Sequence, residues 1–285
     1  MEARAITWNL FHGRDHPPEP ELLTWRSRLL RITERGDAHA QVNRDLFEEF
    51  AATLAEAEWD VALLQECPPR WAERLATACG ADAHLVPTSR NLPYLGTAQA
   101  LAATWNPDLI ASWEGGSNLT LARTPGVGPG AVRERRSLRL AARPERRMMA
   151  FTRLGNDLCI ANLHASAARE AAEAELIEAG RVAHRWAEGT PLILGGDFNL
   201  RPALSGPVFA RLSAEYGLAA PTGERVIDHL LVAGLDVIEA PAQWPQERRE
   251  APDPTAASGN GEPALPIRLS DHAPVSARFG TPRAQ

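Results

Sequence analysis

Pro191-Leu192-Ile193-Leu194-Gly195-Gly196-Asp197-Phe198-Asn199 is the stretch on which the reading of this chain turns. An apolar run of strand length ends in two glycines, which can turn sharply, and delivers a carboxylate and a carboxamide at its tip. The same form recurs along the chain. Ala5-Ile6-Thr7-Trp8 ends in Asn9, Val61-Ala62-Leu63-Leu64-Gln65 ends in Glu66, and Leu158-Cys159-Ile160-Ala161-Asn162-Leu163 ends in His164. Val226-Ile227 precede Asp228, and Ser270-Asp271-His272 precede Ala273-Pro274-Val275. In layered α/β proteins, strand ends gather at one rim of the sheet. Two His, three Asp, one Glu and two Asn would then surround one cleft. That inventory suits a hard cation and proton transfer on a phosphate.

Working outward, short apolar runs bounded by Gly, Pro, Asp or Asn predict strands at 4–9, 60–65, 97–104, 116–121, 147–154, 157–163, 191–195, 226–232 and 273–279. Helical spacing predicts helices at about 42–58, 68–79, 167–188 and 203–215. The third is rich in Ala, Glu and Arg, with Ser166 as its expected N-cap. Residues 13–20, 122–137 and 241–266 read as long loops, the last with six Pro. No convincing linker divides the chain, so one α/β domain over residues 1–285 is expected.

Composition narrows the chemistry. The 285 residues carry a net charge of −6, so no chain-wide basic footprint for nucleic acid exists, although a local groove can still be basic. All 30 basic residues are Arg. Without Lys there is no P-loop lysine, no Schiff base and no Ser-x-x-Lys acylation site. Cys67, Cys79 and Cys159 form neither a disulfide framework nor a paired zinc motif, and no His-Glu-x-x-His exists. No apolar run approaches the roughly 18–20 residues of a membrane span, and the N-terminus lacks the apolar stretch of a secretory signal. A cytoplasmic protein is therefore expected.

The ordered set TWNL, LLQE, NLHAS, GGDFN, IDHLLV and SDHAPV, spanning residues 7 to 275, resembles the endonuclease/exonuclease/phosphatase superfamily of deoxyribonuclease I-like phosphoesterases. Each motif alone is weak; six in order are strong. The resemblance implies a four-layer α/β/β/α sandwich, two packed mixed sheets flanked by helices. It implies magnesium, or manganese in its place, on Glu66, with Asn9 and Asp271 beside it. His164, Asp197, Asn199, Asp228 and His272 take the catalytic positions. Asp197 and Asn199 orient the attacking water, and Asp228 holds His272, which contacts the phosphate or acts as general base. Asn9, Arg147 and Asn199 match substrate-binding positions, Arg147 by the softest match.

Each residue also has a plainer reading. Asp197-Phe198-Asn199 can be a turn, Glu66 a helix start, His164 a structural histidine. Asp228 and His229 are strand neighbours facing opposite ways, so only one enters the cleft, and Asp228 is the choice. His12 and His16 in the loop after Asn9, like Arg133, Arg135 and Arg136, have substrate contact as their lesser reading, the arginines reading first as a solvated face. The expected activity is magnesium-dependent hydrolysis of a phosphodiester or phosphomonoester, with an endonuclease or exonuclease acting on nucleic acid as the leading reading. His164 points to the deoxyribonuclease and sphingomyelinase branches, so a phosphodiesterase on phospholipid head groups is the alternative. A non-catalytic binding protein on the same fold is the remaining one. No partner protein is readable.

Overall fold

The computed structural model describes residues 1–89, 96–123, 132–143, 145–253 and 264–282. Two large mixed sheets pack face to face. The first contains β1 (Glu2–Asn9), β4 (Val61–Gln65), β5 (Ala81–Pro87), β6 (Ser117–Arg123), β12 (Asp236–Gln243) and β15 (Val275–Gly280), in the order β12-β15-β1-β4-β6-β5. The second contains β7 (Val132–Ala141), β8 (Arg147–Leu154), β9 (Cys159–His164), β10 (Leu192–Asp197) and β11 (Asp228–Ala233), in the order β11-β10-β9-β8-β7. Two short ribbons, β2 (Glu34–Arg35) with β3 (Ala40–Gln41) and β13 (Glu250–Pro252) with β14 (Pro266–Arg268), stand apart from them. The helices are α1 (Trp25–Leu30), α2 (Phe47–Glu56), α3 (Ala72–Cys79), α4 (Gly96–Trp105), α5 (Pro107–Glu114), α6 (Arg169–Ala187) and α7 (Pro202–Tyr216). None is long and apolar enough to cross a membrane.

The central strands are apolar on both faces because both are covered. In β4, Val61 and Leu63 face the other sheet, while Ala62 and Leu64 meet Phe50 and Leu54 of α2 and Leu75 of α3. In β10, Ile193 joins the layer between the sheets and Leu194 packs under α6 and α7 with Leu176 and Leu212. These three cores separate four layers, as the family resemblance implied.

A polar bridge crosses the middle layer near the strand ends. Gln65 Nε2 donates to Asn162 Oδ1 at 2.8 Å, and Asn162 Nδ2 donates to the Leu119 carbonyl at 3.1 Å, all fully buried. Gly195 lets the sheets approach here, since a Cβ would stand 3.1 Å from Leu63 Cδ2 and 2.7 Å from Leu230 Cδ2.

Four sequence expectations are corrected. Residues 97–104 are helix, not strand: Ala-rich spacing favours a helix, and a short apolar run does not separate the two states. The segment 122–137 is not all loop, because β6 extends to Arg123 and β7 begins at Val132; residues 124–131 lie outside the described part. The segment 241–266 likewise holds the end of β12, a 3-10 turn at Gln246–Arg249 and β13, with 254–263 outside the described part. Ser166 does not cap α6. Its hydroxyl bonds Glu175 Oε1 at 2.6 Å and its N–H donates to Glu175 Oε2 at 2.7 Å, while Ala168 is the cap position. Strand β5, the first part of β12 and helix α5 had no sequence expectation. Their runs mix charged, Pro and apolar residues without a clean period.

Candidate active site

Strand register places the site. β1 runs parallel to β4 with Asn9 opposite Gln65, so Glu66 follows directly beside it. β10 lies between β9 and β11, with Asp197 opposite both His164 and Asp228. The chain must turn abruptly at these ends. Glu66, Asn199 and Ser270 have φ of 46°, 51° and 60°, as do Phe11 and His12 at 49° and 54°. Five of the nine described non-glycine residues with positive φ thus fall in the loops of this cleft, where strain is held for geometry. Gly196, at φ 138°, is obligatory: a Cβ would lie 1.9 Å from the Leu163 carbonyl oxygen.

Asp197 is the hub. Its Oδ2 accepts from Asn9 Nδ2 at 3.0 Å and lies 3.3 Å from His164 Nε2; its Oδ1 accepts from the Asn199 backbone N–H at 3.0 Å. Asn9 Oδ1 accepts from the Phe11 N–H at 2.9 Å, so both ends of that amide are engaged. Asn199 Nδ2 donates to the Ala165 carbonyl at 3.0 Å.

His272 Nδ1 lies 2.8 Å from Asp228 Oδ2, and its Nε2 edge is 3.9 Å from both Asp197 Oδ2 and Asp271 Oδ1. The loop is pinned on three sides. Ser270 Oγ donates to the Asn9 carbonyl at 2.6 Å and accepts the His272 N–H at 3.0 Å, and Trp8 Nε1 donates to the His272 carbonyl at 3.0 Å. Burial disfavours a charged His272 ring, but the Asp228 bond and the carboxylates Asp197 and Asp271 outweigh it and raise its pKa to about 10. Burial first, then the charges of Asp197 and Asp271, carry Asp228 up to about 6 despite that bond, so the pair retains a proton at neutral pH. His164 goes the other way: its burial lowers the pKa more than Asp197 and Glu66 raise it, leaving a neutral ring.

Glu66 projects into a small cleft of about 120 Å³ with His12, Ser112, Glu145, Arg147 and His164 on its walls. Glu66 Oε2 is 3.2 Å from His12 Nε2 and Oε1 is 4.0 Å from His164 Nδ1. Arg147 pairs with Glu145 at 3.2 Å, and its buried Nε has no hydrogen-bond partner among the described residues. His229 turns away, stacked near Phe198 and Phe209 with Nε2 3.0 Å from the Leu200 carbonyl. His16 sits edge-on to Phe11. Arg133 pairs with Asp157, Arg135 donates to the Ala83 carbonyl and Arg136 pairs with Glu134, all on the edge strand β7.

Sequence reasoning missed Arg14. Its guanidinium stacks 3.7 Å from the Phe11 ring centroid, its Nε donates to the Phe11 carbonyl at 3.2 Å, and it feels the charge of Glu66 and Asp271. The Arg-Asp-His-Pro-Pro run gave no periodic signal to find it. The pins Ser270, Gln65 and Asn162 were also missed as supports, although their motifs were visible.

The oxygen donors Glu66, Asn9 and Asp271 match what a hard divalent cation takes, and the Glu66 and Asp271 side chains are partly exposed. Deeper in, Asp197, Asp228 and His272 place ligand atoms within 4.8 Å of one another among the described residues, but they are engaged in hydrogen bonds.

Residues 6–272 match the model of the Endonuclease/Exonuclease/phosphatase family. The chain belongs to that family. Solved structures of similar fold include a Bacteroides thetaiotaomicron endonuclease/exonuclease/phosphatase family protein at 14% identity and TM-score 0.61, covering 99% of this chain and 98% of that one. A mannosyl-6-phosphatase from the same organism has 14% identity and TM-score 0.59 over 97% and 98% of the two chains. Truncated Caenorhabditis elegans TDP2 has 13% identity and TM-score 0.53 over 99% and 98%. No curated protein matches the chain. Family membership makes it a phosphoesterase-type hydrolase, and the family's fold is the one described above.

Proposed function

We propose that this protein hydrolyses a phosphoester with a divalent cation, magnesium or manganese, held by Glu66 with Asn9 and Asp271. The observation that carries the reading is the His272–Asp228 pair, which aims the ring edge at Asp197 across 3.9 Å, beside Glu66. The bound cation would neutralise charge developing on the phosphate oxygens. Asp197, oriented by Asn9 and by the Asn199 N–H, takes a proton from the attacking water. His272, charged at neutral pH, donates toward a phosphoryl oxygen, which fits its phosphate-contacting role better than that of base. Neutral His164 and Arg147 hold the remaining oxygens. The leaving oxygen departs with the proton of His272, and Asp197, 3.9 Å away, returns to that ring the proton it took from the water.

For substrate, the resemblance of the His164 motif supports nucleic acid, cut as an endonuclease or exonuclease. One structural observation supports the second reading, a phospholipid head group: apolar side chains on α1, α4 and α5 face solvent beside the cleft. We also read residues 1–285 as one domain, since both sheets supply the site, and place it in the cytoplasm on its three free, buried cysteines. The test is nicking of supercoiled plasmid and hydrolysis of bis-p-nitrophenyl phosphate, each with magnesium and with chelator. Activity lost in chelator and in Glu66→Ala and His272→Ala supports the hydrolase. Unchanged activity in both variants would overturn it in favour of a non-catalytic role for these residues.

A further inference from the structure

Of twelve large hydrophobic side chains exposed among the described residues, eight fall within residues 25–32 and 101–113, so exposure is concentrated and not scattered. Three of the helices involved each carry an i, i+4 pair turned to solvent: Trp25 and Leu29 on α1, Leu101 and Trp105 on α4, Leu109 and Trp113 on α5. Trp25 and Leu101 are 69% and 68% exposed, values that core-facing side chains do not reach. This is amphipathicity with the apolar face outward.

The three helices form one platform. Asn106 caps α5, donates from Nδ2 to the Arg28 carbonyl at 2.8 Å, and accepts from Asn43, which also holds the Ser27 carbonyl. The Arg31 guanidinium lies 5.3 Å from the Trp105 ring, joining α1 to α4. The platform borders the cleft: Ser112 of α5 lines the same cavity as Glu66 and His164, one residue from exposed Trp113.

Charge says what covers it. Arg26, Arg28 and Arg31 are exposed between the apolar residues, and residues 25–33 contain no acid. Helix α4 has no charged residue at all. The acids of α5 are engaged, Asp108 by Gln41 and Glu114 by Arg70. Exposed Trp and Leu with three Arg along one side, on a chain of net charge −6, match the boundary of an anionic bilayer, where indole rings sit at head-group level and arginines meet lipid phosphates. A second copy fits poorly, since a symmetric contact would set the three arginines against their equivalents.

We infer that the face of α1, α4 and α5 docks on an anionic phospholipid surface and holds the cleft mouth against it. The inference deepens the head-group reading of the proposed function, but docking is measured without catalysis. The experiment is flotation of the full chain with vesicles of phosphatidylcholine alone or with about a third phosphatidylglycerol, in low and high salt. Binding to the anionic vesicles should exceed that to the neutral ones by about tenfold and weaken with salt. Leu101→Ser with Trp105→Ser, and separately Arg26→Glu with Arg28→Glu and Arg31→Glu, should each remove about tenfold while hydrolysis of soluble bis-p-nitrophenyl phosphate persists. Glu66→Ala should float like the unaltered chain, so loss of catalysis and loss of docking are read separately. Equal binding to both vesicle types, or full binding in both surface variants, overturns the inference. So does a vesicle-free dimer that Leu101→Ser with Trp105→Ser converts to monomer.

Discussion

His272 Nδ1 sits 2.8 Å from Asp228 Oδ2, two residues 44 positions apart, and this contact sets the charge of the site. Replacing Asp228 by Asn removes the negative partner, so the His272 pKa should fall toward its ordinary range. With its folded pKa raised, His272 now adds stability below about pH 6.5 that is lost as pH rises through about 10, and the variant should lack that dependence. Histidine NMR titration and the pH profile of kcat/KM check both points, with an expected rate loss of about 10²–10⁴. An unmoved titration would remove Asp228 from this role.

Arg14 is held by its Phe11 stack and by the bond to the Phe11 carbonyl. A rigid cation near Glu66 and Asp271 should hold substrate charge equally before and during reaction. Arg14→Ala is expected to raise KM about tenfold and leave kcat within about threefold. A loss confined to kcat would contradict this assignment.

The buried bridge from Gln65 to Asn162 ties the two sheets together next to the site. Asn162→Ala removes one acceptor from the Gln65 amide, which keeps Thr7 Oγ1 and the Leu63 carbonyl, and one donor to the Leu119 carbonyl. Urea unfolding should show a loss of about 1–3 kcal/mol. Because the bridge sits one residue from both Glu66 and Leu163, kcat should fall as well.

Gly196→Ala drives a methyl into the Leu163 carbonyl at a φ of 138°. The expected cost is about 3 kcal/mol or more, read from Tm. Gly189, also at positive φ but with open space around it, is the control: Gly189→Ala should cost about 1 kcal/mol.

His84 is pushed down to about 4 by burial, then by Arg135, with its Nδ1 2.9 Å from Thr152 Oγ1. A depressed folded pKa means stability present above about pH 6.5 and lost as pH falls toward 4. His84→Gln should therefore gain about 1–2 kcal/mol on the unaltered chain between pH 7 and 4.5, compared by urea unfolding. A constant difference across that range would show that His84 titrates normally.

The residues at the strand ends were legible in the sequence because they are local signals, and the four-layer architecture was legible only through the family resemblance that those motifs carry. A strand buried on both faces is a short apolar run, and a polar residue at its tip is visible without any partner. Helices α6 and α7 were legible by their 3.6-residue period for the same reason. Residues 97–104 misled because a short apolar run does not separate a helix from a strand, and here Leu101 faces solvent while Ala103 is buried. The resemblance implied the Asp228–His272 pair, whereas the contact of Asp197 with His164 was decided only by the tertiary structure. Strand register sets Asp197 between His164 and Asp228, and sheet packing across Gln65 and Asn162 brings Asn9 onto Asp197. The charge states followed from the same packing: burial leaves His164 neutral while carboxylates from three separate segments keep His272 charged, and no stretch of sequence contains that sum.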